Sequence, residues 1–405
     1  MSLLDALPTP QVSWRQWRPN RVLLVLFSAM LAAIWLLDVV SVSPNRIVSG
    51  EEAGLIEAIG WVGALLVSGV MLTLLALSLQ PSHQGYQVAL VGVSLLLLLL
   101  PFGLMVASHR LISSDTPQAR LNMGMAYWLM LSLLLLCWIE LRLRLTLSRR
   151  RSTLMLLSVL LVWGLCAILG VDSLALGQEL RARDDEFWRA LRQHVTLVSA
   201  SVAISIGLGL TLAMLMRRYA KCQKIAFGVL NFLQTIPSIA LFGLMLGPLA
   251  WLVAQWPLLS QLGVSGIGWA PALLALVAYS LLPMVRNTYI ALEQVSPETL
   301  EAARGMGMRN SQRFFQVRLP LALPVLLEGI RITTVQAIGL TAVAALIGAG
   351  GLGAFIFQGL GQAAMDMVLL GALPILMLAL IADASLGALA DILRPNATAQ
   401  SGDSQ

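Results

Sequence analysis

The stretch Glu301–Pro320 reads EAARGMGMRNSQRFFQVRLP and is a polar island between two long apolar runs. It sits in a wider segment, Tyr289–Leu319, that carries Glu293, Glu298, Glu301, Arg304, Arg309, Arg313 and Arg318. A charge at the centre of a membrane helix costs about 2.5–3.5 kcal/mol on insertion scales, so this segment lies outside hydrocarbon. It still carries the marks of helix. Ser296 suits an N-cap, Pro297 the first helical position, and Glu298 the positive helix end. Leu300, Ala303 and Met306 or Gly307 recur at helical spacing. Gly305 and Gly307 can end that helix, Asn310 or Ser311 can start a second, and Pro320 can stop it. The expectation is a short helical hairpin with Ala302, Ala303 and Gly307 on one side. Small side chains there let another surface approach, which describes a docking element.

Composition places this island in a membrane protein. Of 405 residues 58% are hydrophobic and 11% are charged, with a mean hydropathy of +0.83. A soluble globular chain carries about 25% charged residues. The net charge of +6 does not point to nucleic acid, because the arginines cluster where loops fall. Cys137, Cys166 and Cys222 are scattered without metal-ligand spacing, and His83, His109 and His194 fall in loops or at a span edge. No metal site and no cofactor are expected.

Apolar runs predict about ten transmembrane helices, an all-α integral membrane fold. The first five lie near residues 22–42, 59–79, 88–106, 123–141 and 154–171, the second five near 195–216, 225–253, 269–290, 324–347 and 367–389. Each approaches the ~20 residues a helix needs to cross a bilayer. The first run is too long for a signal-peptide core and reads as an uncleaved span. With both termini cytoplasmic, inner segments hold 18 Lys and Arg residues against 7 in outer loops, which sets the orientation. The inner set includes Arg15, Arg18, Arg21, the run 142–151 and Arg394. The mixed-charge segment 172–193 separates a block at 1–190 from a core at 191–395, followed by a polar tail at 396–405.

Inside the core, NFLQTIPSIALFGLMLGP holds Pro237, which removes a backbone donor, with Gln234, Thr235 and Ser238 as polar groups at mid-membrane. Such interruptions line a pathway, act as a hinge, or merely improve packing. Tyr279, Ser280 and Pro283 in the next span, and Thr334 and Thr341 beyond the island, are read the same way. Asp383 lies well inside the last span without an obvious local partner, a candidate for gating or coupling. Glu328 and Arg331 can pair at i,i+3. GAGGLG supplies Gly348, Gly350, Gly351 and Gly353. It matches G-x-G-x-x-G, but a membrane helix rather than a strand precedes it, so a flexible extracytoplasmic loop is expected instead of a nucleotide site. No phosphate-binding lysine loop is present, since Lys221 and Lys224 follow no glycine-rich turn.

Glu-Ala-Ala, three residues, Gly307, nine residues, Val317, one residue and Leu319-Pro320 is a spacing that resembles the EAA loop of type I ABC importer permeases, the MetI-like five-helix core. Val317 stands where that pattern usually has isoleucine. The resemblance implies that Glu301, Ala302, Ala303, Gly307, Val317, Leu319 and Pro320 form a cytoplasmic loop that fits a groove on a separate ATPase subunit. A helix-turn-helix reading, with Ala303 and Gly307 four apart, fails because membrane spans begin within a few residues of both ends. QTIPSIALFGLM and ALIGAGGLGAFIFQGL resemble permeases for glycine betaine, choline and related osmoprotectants, and SPNRIVSGE (43–51) their long form with extra N-terminal spans. The implied partners are an ABC ATPase dimer, an extracytoplasmic binding protein, membrane lipid, and a second permease chain, with a heterodimer favoured. The implied place is the bacterial inner membrane. Competing readings are an amino-acid importer permease, including methionine, an ion-coupled secondary transporter, and a polytopic membrane enzyme. The last lacks any His, Cys or paired-carboxylate constellation.

Overall fold

The computed structural model describes residues 19–45, 50–112, 119–169 and 174–393. Arg15, Arg18, Arg46, Arg394, the tail at 396–405 and part of SPNRIVSGE lie outside them. The chain divides into two compact units, Met1–Gln178 and Glu179–Gln405.

The first unit opens with α1 (Arg21–Leu36), capped by Asn20, whose side-chain oxygen accepts from the Val22 and Leu23 amides. The expected first span ran on to Val42. The helix stops at Leu36, because β1 (Val40–Ser43) pairs antiparallel with β2 (Glu51–Ala53) and β3 (Arg120–Met123) in the order β2-β1-β3. Val40 sits opposite both Ala53 and Met123. β-Branched residues favour that pairing over a further helical turn. Among the described residues, this is the only sheet in an otherwise helical design. Four helices complete the unit: α2 (Leu55–Leu79), α3 (His83–Leu111), α4 (Met125–Arg144) and α5 (Arg149–Leu169). Phe27, Met30, Leu97, Leu134 and Cys137 fill its core.

In the second unit, α6 (Ala175–Ala182) straddles the boundary and α7 (Asp184–Arg218) runs for 35 residues. Then come α8 (Ala220–Thr235), α9 (Ser238–Gln255), α10 (Pro257–Gln261), α11 (Trp269–Glu293) and α12 (Pro297–Gly305). α13 (Asn310–Gln312), α14 (Leu319–Ala344), α15 (Gly353–Gly361) and α16 (Met365–Ile392) follow. α7, α11 and α14 form the centre. Their close approach depends on small residues, as expected where no hydrophobic force separates helix from lipid. A Cβ on Gly209 would lie 2.7 Å from Met284 Cγ, and one on Gly329 would lie 2.6 Å from Asn287 Cβ. Ala272, Ala275 and Ala344 are wholly buried beside Leu241 and Phe242.

Eight helices among the described residues are long and apolar enough to cross a membrane, against ten expected spans. α1 has 16 residues, about 24 Å at 1.5 Å per residue, short of the roughly 30 Å hydrocarbon core. The apolar part of α5 within the described residues, Leu154–Cys166, is shorter still. The expected single span at 225–253 is two helices, because the chain leaves helical geometry at Ile236 and Pro237.

Candidate functional site

The polar island folds as a hairpin whose two ends are set by local chemistry. Ser296 caps α12 by accepting the Thr299 amide at 3.3 Å, with Pro297 at the helix start. At the other end Gly307 takes φ +81°. Its amide donates to Arg304 O at 2.9 Å and the Met308 amide donates to Ala303 O at 3.2 Å. Those two bonds are a Schellman motif, which needs a left-handed residue at the Gly307 position. A Cβ on Gly307 would meet nothing within 4 Å, so within this chain φ, rather than a close approach, requires glycine there.

Two expectations are corrected. Pro320 does not stop the second helix. From Asn310 the chain passes through a wider π-helical stretch, Arg313–Arg318, and continues through Pro320 into α14. Leu319 N–H donates to Phe314 O, five residues back. Pro320 has no N–H, and in a regular turn its ring would strike the Gln316 carbonyl, so widening the turn lets the helix pass. Nor do the three small residues share a side. Ala303 is 1% exposed, whereas Ala302 and Gly307 are exposed. Ala303 faces inward, as do Leu300, Phe314 and Leu319, which pack on a root of Ala291, Leu292, Val295, Ala322 and Leu326. Val317 is half-buried and Pro320 exposed. The free surface of the hairpin carries Glu301, Ala302 and Arg304 beside two bare apolar side chains, Met306 at 72% and Phe315 at 65% exposure. A polar loop that displays two large apolar groups has the composition of a contact surface.

The mid-membrane candidates resolve into one connected feature and several separate residues. Pro283 cannot donate to the carbonyl four residues back, which belongs to Tyr279. Gln234 Nε2 donates to that carbonyl at 2.9 Å. In return the Tyr279 hydroxyl donates to Ile236 O, the carbonyl freed where α8 breaks before Pro237. One carbonyl orphaned by Pro283 and one left outside helix where α8 ends are thus answered by two side chains, as a membrane interior demands. The first unit uses the same device, with Trp163 Nε1 donating at 2.8 Å to Leu97 O, four residues before Pro101. Thr235, Thr334 and Thr341 do not join the cluster. Their hydroxyls donate to carbonyls of their own helices, at Phe232, Ile330 and Ala337. Ser238 is half-buried at the start of α9, and Ser280 is fully buried.

Asp383 does have a partner. Arg331 Nε donates to its Oδ1 at 2.6 Å and Nη2 to its Oδ2 at 2.8 Å, while Nη1 reaches Glu328 at 3.1 Å. The i,i+3 pair is therefore a triad, with Arg331 spanning α14 and α16. Local sequence spacing cannot show a partner 52 positions away.

The glycine segment is a docked turn rather than a flexible loop. Gly348, Gly350 and Gly351 all have positive φ, and a Cβ on Gly353 would lie 1.9 Å from Ala342 O. Gln193 Oε1 accepts the Gly351 amide at 3.2 Å. His194, wholly buried beneath the turn, places Nε2 3.1 Å from Ile338 O and so carries its proton there. A cleft of about 290 Å³ opens beside the turn, lined by Glu186, Arg189, Gln193, Phe355 and Gln358 among others. Gln193 and His194 were not singled out as site residues. Their only signal was polar residues at the head of an apolar run. Helix precedes and follows the turn, which removes the dinucleotide reading on structural grounds as well.

Residues 205–395 match the family described as binding-protein-dependent transport system inner membrane component. Residues 18–176 match ABC transporter permease YehY, N-terminal domain. The chain is 43% identical over 203 residues to the osmoprotectant import permease protein OsmW of Salmonella typhimurium, covering 50% of this chain and 89% of that one. It is 38% identical to the carnitine transport permease protein OpuCB of Listeria monocytogenes, over 51% of this chain and 87% of that one. With the choline transport system permease protein OpuBB of Bacillus subtilis the identity is 34%, over 51% and 88%. Among solved structures, the MetNI methionine ABC transporter in an inward-facing conformation is 21% identical. Its TM-score is 0.45, covering 52% of this chain and 97% of that one.

Proposed function

This chain belongs to the family of binding-protein-dependent transport system inner membrane components, and from that premise we propose that it is the permease of an ATP-driven importer for glycine betaine, choline and related quaternary-ammonium osmoprotectants. The observation that carries the reading is the 43% identity to an osmoprotectant import permease across 89% of that protein. It is supported by identities of 38% and 34% to carnitine and choline permeases.

In this reading the hairpin at 297–320 is the coupling loop. Glu301, Ala302, Met306 and Phe315 supply its exposed face, and a separate cytoplasmic ATPase dimer receives it. The basic residues near the hairpin and at 142–151 then lie in the cytoplasm, as do both termini. The ATPase closes on ATP and pushes the hairpin, whose apolar root on α11 and α14 passes the motion to the central helices. Pro237, Pro283 and their reciprocal Gln234 and Tyr279 contacts supply a place where helices bend without stranding backbone polar groups. The turn at 348–353 faces the opposite side, where an extracytoplasmic binding protein delivers the cargo. Five core spans do not enclose a pore alone, so a second permease chain completes the path, and a shorter, different chain is favoured.

The test is uptake by the full complex in membrane vesicles supplied with ATP, binding protein and radiolabelled betaine, choline or amino acids. Saturable betaine or choline uptake is the expected result. Saturable amino-acid uptake without it would replace the substrate and leave the permease.

A further inference from the structure

Three arginines gather where the root of the hairpin meets the ends of two central helices. Arg217 stands in the last turn of α7, and its Nε lies 3.8 Å from Glu293 Oε1 at the end of α11. The π-helical stretch Arg313–Arg318 and the residue after it pack on that same end of α11. Phe314 and Leu319 make the contact, against Ala291, Leu292 and Val295. This packing carries two more arginines to the pair, and Arg318 sits in the combined field of Arg217, Glu293 and Arg313.

The charges there do not balance. Three guanidiniums share the carboxylate of Glu293, which is 53% exposed and too far from Arg217 for a hydrogen bond. Arg313 Nη2 donates to Asn310 Oδ1, a neutral acceptor that leaves the charge in place. Tyr289 and Gln223, the polar groups beside Glu293, add no negative charge. The Nε atoms of Arg217, Arg313 and Arg318 are all buried without a hydrogen-bond partner among the described residues. Nε is the covered end of each group and shows how far it has left water. The outer Nη edge is what a ligand would meet, and Arg217 keeps 20% side-chain exposure, with Arg313 and Arg318 half-buried. Like charges drawn partly out of water repel one another and lose hydration, so the cluster calls for an anion.

Position indicates which anion. Three residues deeper on each helix, on the same face, stand Met214, Ile290 and Leu321, at 39%, 39% and 46% exposure. They follow Arg217, Glu293 and Arg318 respectively. The helices that carry them are all long and apolar enough to cross a membrane. The arginines therefore mark the level where three spans leave hydrocarbon, with bare apolar side chains directly below. A molecule that is anionic at that level and hydrocarbon beneath it is a phospholipid, and the guanidinium fork matches two phosphate oxygens.

We infer that Arg217, Arg313 and Arg318 hold the phosphate of an anionic phospholipid, with its acyl chains running past Met214, Ile290 and Leu321. Glu293 stands beside the phosphate as a competing anion and tempers the affinity. The bound lipid joins the ends of α7 and α11 to the base of α14, the root from which the hairpin projects.

The test titrates the full chain in detergent with phosphatidylglycerol or phosphatidylcholine and reads the first bound lipid by native mass spectrometry. Phosphatidylglycerol is expected to bind about tenfold tighter. Arg318→Gln should remove that preference, since one charge-assisted contact is worth about tenfold, and Arg318→Lys should restore part of it. Arg304→Gln, on the exposed face of the hairpin, should leave it unchanged. Glu293→Gln should tighten phosphatidylglycerol about threefold, the scale of one partly exposed ion pair. That gain has the opposite sign from a structural loss, and it gives an independent reading should Arg318→Gln destabilise the chain. Equal affinity for the two lipids would overturn the site, as would weaker binding in Glu293→Gln or an equal loss in Arg304→Gln. Displacement of the lipid by excess inorganic phosphate would make it a site for a soluble phosphate instead. Disappearance of the preference once ATPase chains assemble would assign the arginines to carboxylates of that partner.

Discussion

Arg331 and Asp383 meet across 52 residues of chain as a two-point ion pair, Nε to Oδ1 at 2.6 Å and Nη2 to Oδ2 at 2.8 Å. The pair joins α14, which continues from the hairpin, to α16. Its side chains retain 21% and 42% exposure, so it is neither a dry buried bridge nor a loose surface contact. Parallel double bonding of this kind fixes orientation as well as distance.

Removing either partner alone should therefore cost more than removing both. Arg331→Met removes the guanidinium that Asp383 and Glu328 share, and Asp383→Leu removes the two-point contact while Arg331 keeps Glu328. In the double variant the melting temperature should recover part of the loss, with a coupling energy of about 1 kcal/mol. Strict additivity in thermal melts of the solubilised protein would show that the pair is not coupled.

The proline–side-chain device yields a rescue experiment. Gln234→Leu strands the Tyr279 carbonyl, a cost of about 1–3 kcal/mol. Pro283→Ala restores an N–H that can bond that carbonyl within the helix, so it should offset much of the loss. The same logic applies in the first unit, where Pro101→Ala should offset Trp163→Phe at Leu97 O. Failure of rescue at both places, measured by thermal melts, would mean that these side chains act otherwise than by answering orphaned carbonyls.

How much of this could be read beforehand follows from the range of each interaction. The hairpin was legible because caps, a helix-ending glycine and charge are encoded within a few residues. The passage of the helix through Pro320 was not, since the π-helical widening at Arg313–Arg318 is an accommodation spread over the turn before it. The partner of Asp383 and the seat of Gly351 on Gln193 depend on which helices lie side by side, which periodicity does not reveal. The end of α1 was misplaced because Val39, Val40 and Val42 extend an apolar run without extending the helix.

Gly307 offers a way to separate its two possible requirements. Its φ of +81° makes most side chains unfavourable by about 1–2 kcal/mol, whereas asparagine tolerates that region better. If conformation alone matters, Gly307→Asn should retain most of the uptake that Gly307→Leu loses. Equal loss in both, at normal abundance, would instead indicate that a partner surface approaches the bare glycine. Glu301→Lys, on the exposed face, should abolish ATPase stimulation without altering abundance.

Orientation is open to labelling. With Cys137, Cys166 and Cys222 replaced, single cysteines at the exposed Ser148 and Ser260 should react with impermeant reagents from opposite sides, Ser148→Cys from the cytoplasm. Reaction of both from one side would remove the orientation and, with it, the placing of the hairpin.

The cargo prediction turns on where tight recognition resides. A quaternary ammonium is held by several aromatic faces, each worth about 0.5–2 kcal/mol. The core has Trp251, Trp256 and Trp269 near one end, but they are exposed, and Trp269 spends its indole N–H on Gly263 O at 2.9 Å. Exposed tryptophans at that level also suit the membrane interface. On the proposed function, the permease should offer the cation a weak, passing path while the binding protein provides the affinity. Replacing all three tryptophans by leucine should lower the maximal uptake rate by no more than about threefold, the scale of one weak aromatic contact. The half-saturating betaine concentration should not change, and omission of the binding protein should abolish uptake. A large rise in that concentration in the triple variant would relocate recognition to the permease.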